Sequence, residues 1–398
     1  MDTTSTTERR AGPQNERRAE AWADERTEER EKRRRPPART PLLTAMAVGL
    51  PALLLAQAPG ASVAELNDVH FHLTNYVQEG TDIRAFLKIM GDKVGRVALF
   101  GIPLQQQWSY GNTGDFAPTY YLQTDAPLYY YSFTDAFIAM AYRSLAPAEQ
   151  ARFDPMITGF NPADMYAADH VRRVLQTFPG VFSGIGEFTV HKEFVSAKVA
   201  GETASLTNPA LDRILAFAAE AGLVVLLHND VDMPFPRPGQ DPYPAVQLGK
   251  LLRRHPQTTV VWAHGGLGRI VHPVKDHIGM LDRALSSPEL PNLHVDISWD
   301  EVAKYLLATP ETTQAAADLI GRHPDRFLFG SDEVAPTEQV KYLKVYGMYR
   351  PLFAKLAPEA SEKLRKGNYE RLFDDARRKV RAWEKANPGA SSQRGSLP

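Results

Sequence analysis

The chain has 398 residues, 43% hydrophobic and 23% charged, a composition that excludes collagen-like and wholly disordered chains. Its 46 basic and 47 acidic side chains nearly cancel, leaving no chain-wide basic excess to bind nucleic acid by counterion release. There is no cysteine, which excludes disulfides, thiolate metal sites and cysteine nucleophiles, so any metal must sit on histidines and carboxylates.

Residues 1–40 carry 11 basic and 9 acidic side chains and almost no large apolar ones, too little apolar surface to offset the entropy of ordering. Lys32-Arg33-Arg34-Arg35 and the apolar run Leu42–Ala58 follow, then Ser62-Val63-Ala64. Basic, apolar and then small residues in that order read as an export signal, with a mature start at Glu65 and a periplasmic or secreted product. A buried helix or an uncleaved membrane anchor, with Pro51 inside a run that is short for a span, are the alternatives.

From residue 65 the chain alternates strand and helix signals. Short apolar or β-branched runs recur at Leu66–Phe71, Val97–Phe100, Pro155–Gly159, Phe182–Gly186, Val224–Leu227, Thr259–Ala263, Leu293–Ile297 and Phe327–Phe329. Between them Asn208-Pro209 opens a helix that ends near Gly222, and another helix runs from Tyr243 to His255 before Pro256. Eight such units predict an α/β protein with a closed (β/α)8 TIM barrel over 65–398, the open doubly wound sheet being the alternative. No glycine fingerprint for a dinucleotide follows the first strand. The stretch 104–145 after strand 2, with Tyr110, Tyr120, Tyr121, Tyr129, Tyr130 and Tyr131, is expected to be a long irregular insertion, either a lid or a packing surface for a second copy of the chain.

Polar residues gather at the strand ends. In Asp68-Val69-His70-Phe71-His72 the two histidines are two residues apart on a strand, so both point to one face while Val69 and Phe71 point to the other. Glu187 closes the fourth run, His228 the fifth, His264 the sixth, Asp296 the seventh and Asp332 the eighth. The steps from His228 to His264, to Asp296 and to Asp332 are 36, 32 and 36 residues, each one βα unit, and a parallel barrel collects such ends into one ring at its catalytic face. Histidines and carboxylates so placed are the donors that hard or borderline divalent ions prefer. Arg269, after His264-Gly265-Gly266, could meet a substrate carboxylate or phosphate, and Lys192 could enter the site beside His191. Asp296 is expected to support the ligands from behind, and Asp230 to bond a ligand imidazole or cap a loop. His170, His255, His272, His277 and His323 occupy helical or proline-adjacent places and are not expected to be ligands.

These residues resemble the amidohydrolase superfamily of metal-dependent hydrolases, in particular the branch that also contains decarboxylases and lactonases. The likeness runs from Leu66 to about Phe373 and includes Lys366-Gly367-Asn368-Tyr369-Glu370-Arg371-Leu372-Phe373, similar to that family's closing Gly-Asn-x-x-x-Leu-Phe segment. It implies a (β/α)8 barrel with His70, His72 and His228 as ligands, His264 as ligand or substrate contact, and Asp332 as ligand and general base. Mononuclear members of the branch generally lack a fourth-strand carboxylate, whereas Glu187 stands where binuclear relatives place a bridging group. The resemblance therefore implies one or two divalent ions, with one favoured; zinc suits the histidine-rich set, and manganese, iron or nickel would also fit. It implies hydrolysis of an amide, lactone or related carbonyl compound by activated water. The alternatives are decarboxylation of an unsaturated or aromatic acid, a metal-dependent phosphodiesterase or deoxyribonuclease, and a binding protein without catalysis. The 35 basic and 38 acidic residues from 65 onward disfavour a nucleic-acid substrate.

Overall fold

A computed structural model describes residues 64–75, 79–102, 107–108, 122–123, 133–192, 198–199, 202–203, 205–233, 236, 239 and 241–389. The expected export signal up to Val63 and the six tyrosines of the insertion lie outside the described residues.

The barrel strands are β1 (Leu66–Thr74), β2 (Val94–Gly101), β3 (Phe153–Ile157), β4 (Gly184–His191), β5 (Val224–Asn229), β6 (Val260–Trp262), β7 (Leu293–Asp296), β8 (Phe327–Leu328) and β9 (Glu333–Val334). They form one parallel sheet in which β8 and β9 lie at the two ends of the order and all the others are in sequence. Only Phe329–Asp332 separate β8 from β9, so this one stretch pairs with β7 on one side and β1 on the other. Val69 N–H donates to Phe329 O (3.1 Å) and Asp332 N–H to His70 O (2.8 Å), which closes the ring. All eight expected runs are strands, and the closed barrel is the form the sequence predicts.

Between the strands lie α1 (Ile83–Met90), α2 (Phe133–Arg143), α3 (Ala167–Thr177), α4 (Pro209–Ala221), α5 (Tyr243–Arg254), α6 (His277–Ser286), α7 (Asp300–Leu306) and α8 (Pro310–Arg322), and α9 (Asn368–Ala386) ends the described chain. Asn208 caps α4 by accepting from Ala210 N–H, and Gly222 ends it in the left-handed region (φ 78°), as the Asn-Pro start and glycine stop require. Of the stretch expected to be irregular, residues 133–143 are helical. Thr134, Asp135, Ile138 and Ala139 recur at helical spacing and are buried, which is the amphipathic signal that the aromatic composition obscured.

The barrel interior holds Val69, Ala98, Phe100, Met156, Leu226, Val261 and Leu328, plugged by Tyr369, Leu372, Phe373 and Ala376 of α9. A larger apolar layer lies between strands and helices. The expectation that Val69 and Phe71 share a face is corrected. The β1–β2 register carries an extra β1 residue between Asp68 and Phe71, and such a bulge reverses the alternation. Val69 joins the interior, whereas Phe71 stacks outward on Phe86 of α1 (ring centroids 4.0 Å). Among the described residues no helix is long and apolar enough to cross a membrane.

Candidate metal centre

At the carboxyl ends of the strands the chain departs from regular geometry in a concentrated way. His264, Trp299, Asp332 and Ala335 all have positive φ (60°, 78°, 54° and 46°), a region that costs a non-glycine residue about 1 kcal/mol or more and is held only by its surroundings. His264 lies in the turn Ala263–Gly266 after β6 rather than at the strand's end. Its N–H donates to Asp296 Oδ1 (2.8 Å) and its carbonyl accepts from Leu267 N–H (3.1 Å). Gly266 (φ 76°) is required in that turn, because a Cβ there would lie 2.3 Å from the Trp262 ring. Glycine at 330 lets the β8–β9 stretch approach β1, where a Cβ would lie 2.7 Å from that of His70. Glu187 does not end β4. It sits in a bulge between Ile185 and Phe188, after which the strand continues to His191.

The turns and the bulge bring the six sequence-predicted ligands together. His70, His72 and Asp332 form one group of potential metal donors within 4.8 Å of one another, and Glu187, His228 and His264 form another. Asp332 Oδ1 is 3.2 Å from both His70 Nε2 and His72 Nε2. Glu187 faces both groups: its Oε2 is 3.5 Å from His72 Nε2 and 3.8 Å from His70 Nε2, and its Oε1 is 2.6 Å from His228 Nδ1 and 3.7 Å from His264 Nε2. The histidines of the cluster are closed off from solvent. The side chains of Glu187 and Asp332 keep 8% and 13% exposure, so the two carboxylates are the edge of the cluster that a small molecule reaches.

The outward ring nitrogens have their own partners. His70 Nδ1 lies 3.1 Å from Asp296 Oδ2, His228 Nε2 3.2 Å from Asp230 Oδ1, and His264 Nδ1 2.8 Å from Ser298 Oγ. A carboxylate behind a ligand imidazole fixes its tautomer and raises its basicity. The inward Nε2 atoms of His70 and His264 are buried with no hydrogen-bond partner, a costly state for a polar atom unless something else engages it. Bare imidazole nitrogens opposite carboxylates, with no thiolate, fit a divalent cation.

Electrostatics point the same way. Burial opposes a charge on His70, but Asp332, the Asp296 bond and Glu187 outweigh it and raise its pKa well above the ordinary imidazole range. Burial likewise opposes ionisation of Glu187, yet Lys192, the hydrogen bond with His228 and the nearby imidazoles of His264 and His70 hold its carboxyl well below the ordinary range. Asp332 is depressed against its own burial by His70, His72 and His264. For His264 burial wins and the pKa is lowered. The site is a field of ionised carboxylates that draws positive charge inward.

Trp299 forms the rim, its ring 5.1 Å from that of His264. Lys192 Nζ stands 5.6 Å from the Trp299 ring and 3.8 Å from Glu187 Oε1. Arg269 is placed at the rim, its guanidinium 5.6 Å from the same ring and 3.7 Å from Glu301. Asp230 bonds the imidazole of His228 rather than capping a loop. His255 and His323 bond Asp212 and Asp282 just past the ends of α5 and α8. Ser298 and Trp299 escaped the sequence reading. The available signal was Asp296-x-Ser298, which repeats at the end of β7 the two-residue spacing of His70 and His72.

A family model described as "Amidohydrolase" matches residues 67–374. No curated protein matches the chain. Similar solved structures include an uncharacterised TIM-barrel protein from Bordetella bronchiseptica (16% identity, 78% of this chain and 99% of that one, TM-score 0.46). Others are a 2,6-dihydroxybenzoate decarboxylase from Rhizobium (15%, 78% and 99%, 0.46) and a dihydroorotase from Campylobacter jejuni (13%, 78% and 84%, 0.47).

Proposed function

The chain belongs to the amidohydrolase family, and on that premise we propose that it is a divalent-metal-dependent hydrolase cleaving an amide, lactone or related carbonyl bond of a small molecule. The observation that carries this reading is Glu187, with one carboxylate oxygen toward the histidines of β1 and the other toward His228 and His264. His70, His72 and Asp332 would hold one ion and His228 and His264 a second, with Glu187 shared. This supports two ions where the sequence favoured one, and a ligand's part for His264 rather than that of a free substrate contact. Zinc suits the set. When bound, the metal supplies Lewis acidity that polarises the substrate carbonyl and eases removal of a proton from water.

The chain's own residues do the rest. Asp332, ionised and at the solvent-facing edge, accepts the proton of the attacking water and returns it to the departing nitrogen or oxygen. Trp299 offers a flat wall beside His264, and Lys192 and Arg269 flank it as contacts for an anionic group on the substrate. Trp262 Nε1–H donates to Asn229 O (2.6 Å) and Val231 N–H to Gly266 O (2.7 Å), which holds the β5 and β6 ends in register under the site.

The test is metal analysis of the purified protein together with turnover of a lactone and amide panel in 18O-labelled water. Bound divalent metal, loss of turnover on chelation and one 18O per product molecule are expected. Release of carbon dioxide without 18O in the organic product would overturn hydrolysis in favour of decarboxylation. A metal-free protein with unaltered activity in His70→Ala and Asp332→Asn would overturn the whole reading.

A further inference from the structure

We propose that Ser298 is the positioning residue of His264, locking its imidazole into the tautomer that turns an unprotonated Nε2 inward, while Asp296 fixes one imidazole of the other donor group, His70, with its Nε2 inward. Ser298 Oγ lies 2.5 Å from Asp296 Oδ1, 2.8 Å from His264 Nδ1 and 3.2 Å from His70 Nδ1. A serine hydroxyl has one proton to give, and the shortest of these contacts is to a carboxylate, which accepts only. The hydroxyl therefore donates to Asp296, and its lone pairs face His264 Nδ1, which must carry the hydrogen. His70 Nδ1 faces Asp296 Oδ2 at 3.1 Å, again an acceptor, so it too carries a hydrogen. Both Nε2 atoms are thereby turned toward Glu187 and Asp332, where the structure leaves them buried and unbonded.

The pair is built for this. Asp296 Oδ1 also accepts the backbone N–H groups of His264 (2.8 Å) and Ser298 (3.1 Å), so one carboxylate sets both the turn after β6 and the hydroxyl that faces that turn's imidazole. Asp296 and Ser298 are fully buried. Room for the serine exists because residue 330 is glycine, where a Cβ would lie 2.9 Å from that of Ser298.

The two imidazoles depend on Ser298 unequally. His70 keeps Asp296 Oδ2 when the hydroxyl is removed. His264 Nδ1 has Asp296 Oδ1 as its next acceptor, at 3.9 Å, beyond hydrogen-bond reach. Ser298→Ala should therefore release His264 alone, whereas Asp296→Asn, which puts a donor among groups that need an acceptor, should disturb both. The consequence for metal rests on the two-ion reading above; the tautomer of His264 does not.

The experiment is solid-state 15N NMR of histidine-labelled, metal-free full-length protein as wild type, Ser298→Ala and Ser298→Thr, with His264→Asn identifying the signal, alongside Co2+ titration of each. Wild type and Ser298→Thr should show His264 protonated at Nδ1, and Ser298→Ala should move that hydrogen partly or wholly to Nε2. One Co2+ should bind about 10- to 100-fold more weakly in Ser298→Ala while the other is unchanged, and Asp296→Asn should weaken both. An unchanged tautomer in Ser298→Ala, or equal effects on the two ions, overturns the proposal. If the wild type binds no Co2+ yet its His264 tautomer shifts on Ser298→Ala, the metal reading fails and the role of Ser298 stands.

Discussion

Glu187 Oε1 lies 2.6 Å from His228 Nδ1, while the other oxygen of the same carboxylate faces His70 and His72 across the barrel mouth. A strand bulge makes this possible, since it turns one β4 side chain toward donors from both sides of the ring. Replacing Glu187 with Gln keeps the shape and removes the charge shared by the two donor groups. Metal analysis of Glu187→Gln should show the bound metal falling from two equivalents per chain to one or fewer, with activity down at least about 100-fold. Two retained equivalents would refute a shared ligand.

Asp332 is assigned both a ligand's and a base's part. In Asp332→Asn, kcat should fall about 100- to 10,000-fold, the usual range for a lost general base. Steady-state kinetics on metal-saturated protein checks this, and a kcat within tenfold of wild type would remove Asp332 from proton transfer.

The barrel seam is a stability device separable from the chemistry. Asp68 accepts Ser331 N–H (2.9 Å), Ser331 O–H (2.5 Å), Tyr342 O–H (2.9 Å) and His70 N–H (3.0 Å), tying β1 to the β8–β9 stretch. Tyr342→Phe leaves the other three bonds and should lower unfolding stability by about 1–2 kcal/mol without changing metal content, as read by urea denaturation and metal analysis of the same samples.

Acid sensitivity should arise partly away from the site. Burial among apolar residues behind Gly265 lowers the pKa of His277 to about 4. The unfolded chain, with an imidazole near 6.5, binds more protons than the native one between these values. The stability His277 contributes is therefore full above about pH 6.5 and is lost as pH falls toward 4. Between pH 7.5 and 5 its share is about 2 kcal/mol. Denaturant midpoints of His277→Leu across that range should fall less steeply than those of wild type, and parallel curves would count against it.

Export is a proposal from the first 64 residues. Expression of the full gene in a host with a general secretory pathway, followed by amino-terminal sequencing of the purified protein, should give Glu65 as the first residue. An unprocessed cytosolic chain would refute it.

Composition and periodicity by themselves determined the alternation of eight strands with helices and the kind of donor set at the strand ends. Both are local or pairwise properties of the chain: β-branched runs of strand length, capped helices between them, and histidines and carboxylates at one strand end per unit. With no cysteine available, that set could only be a histidine and carboxylate one. Three things were decided in three dimensions. The bulges in β1 and β4 shift side chains by one residue, so Val69 turns inward and Glu187 reaches both donor groups, and a bulge leaves no mark on composition. The left-handed turns at His264, Trp299 and Asp332 are held by contacts from neighbouring strands, which no local propensity reports. Ser298 matters only because Asp296, His70 and His264, drawn from three strand-and-turn units, surround a single hydroxyl proton. Its residue type is unremarkable until the barrel closes, because directionality in a hydrogen-bond network belongs to the assembled ring and not to any one segment.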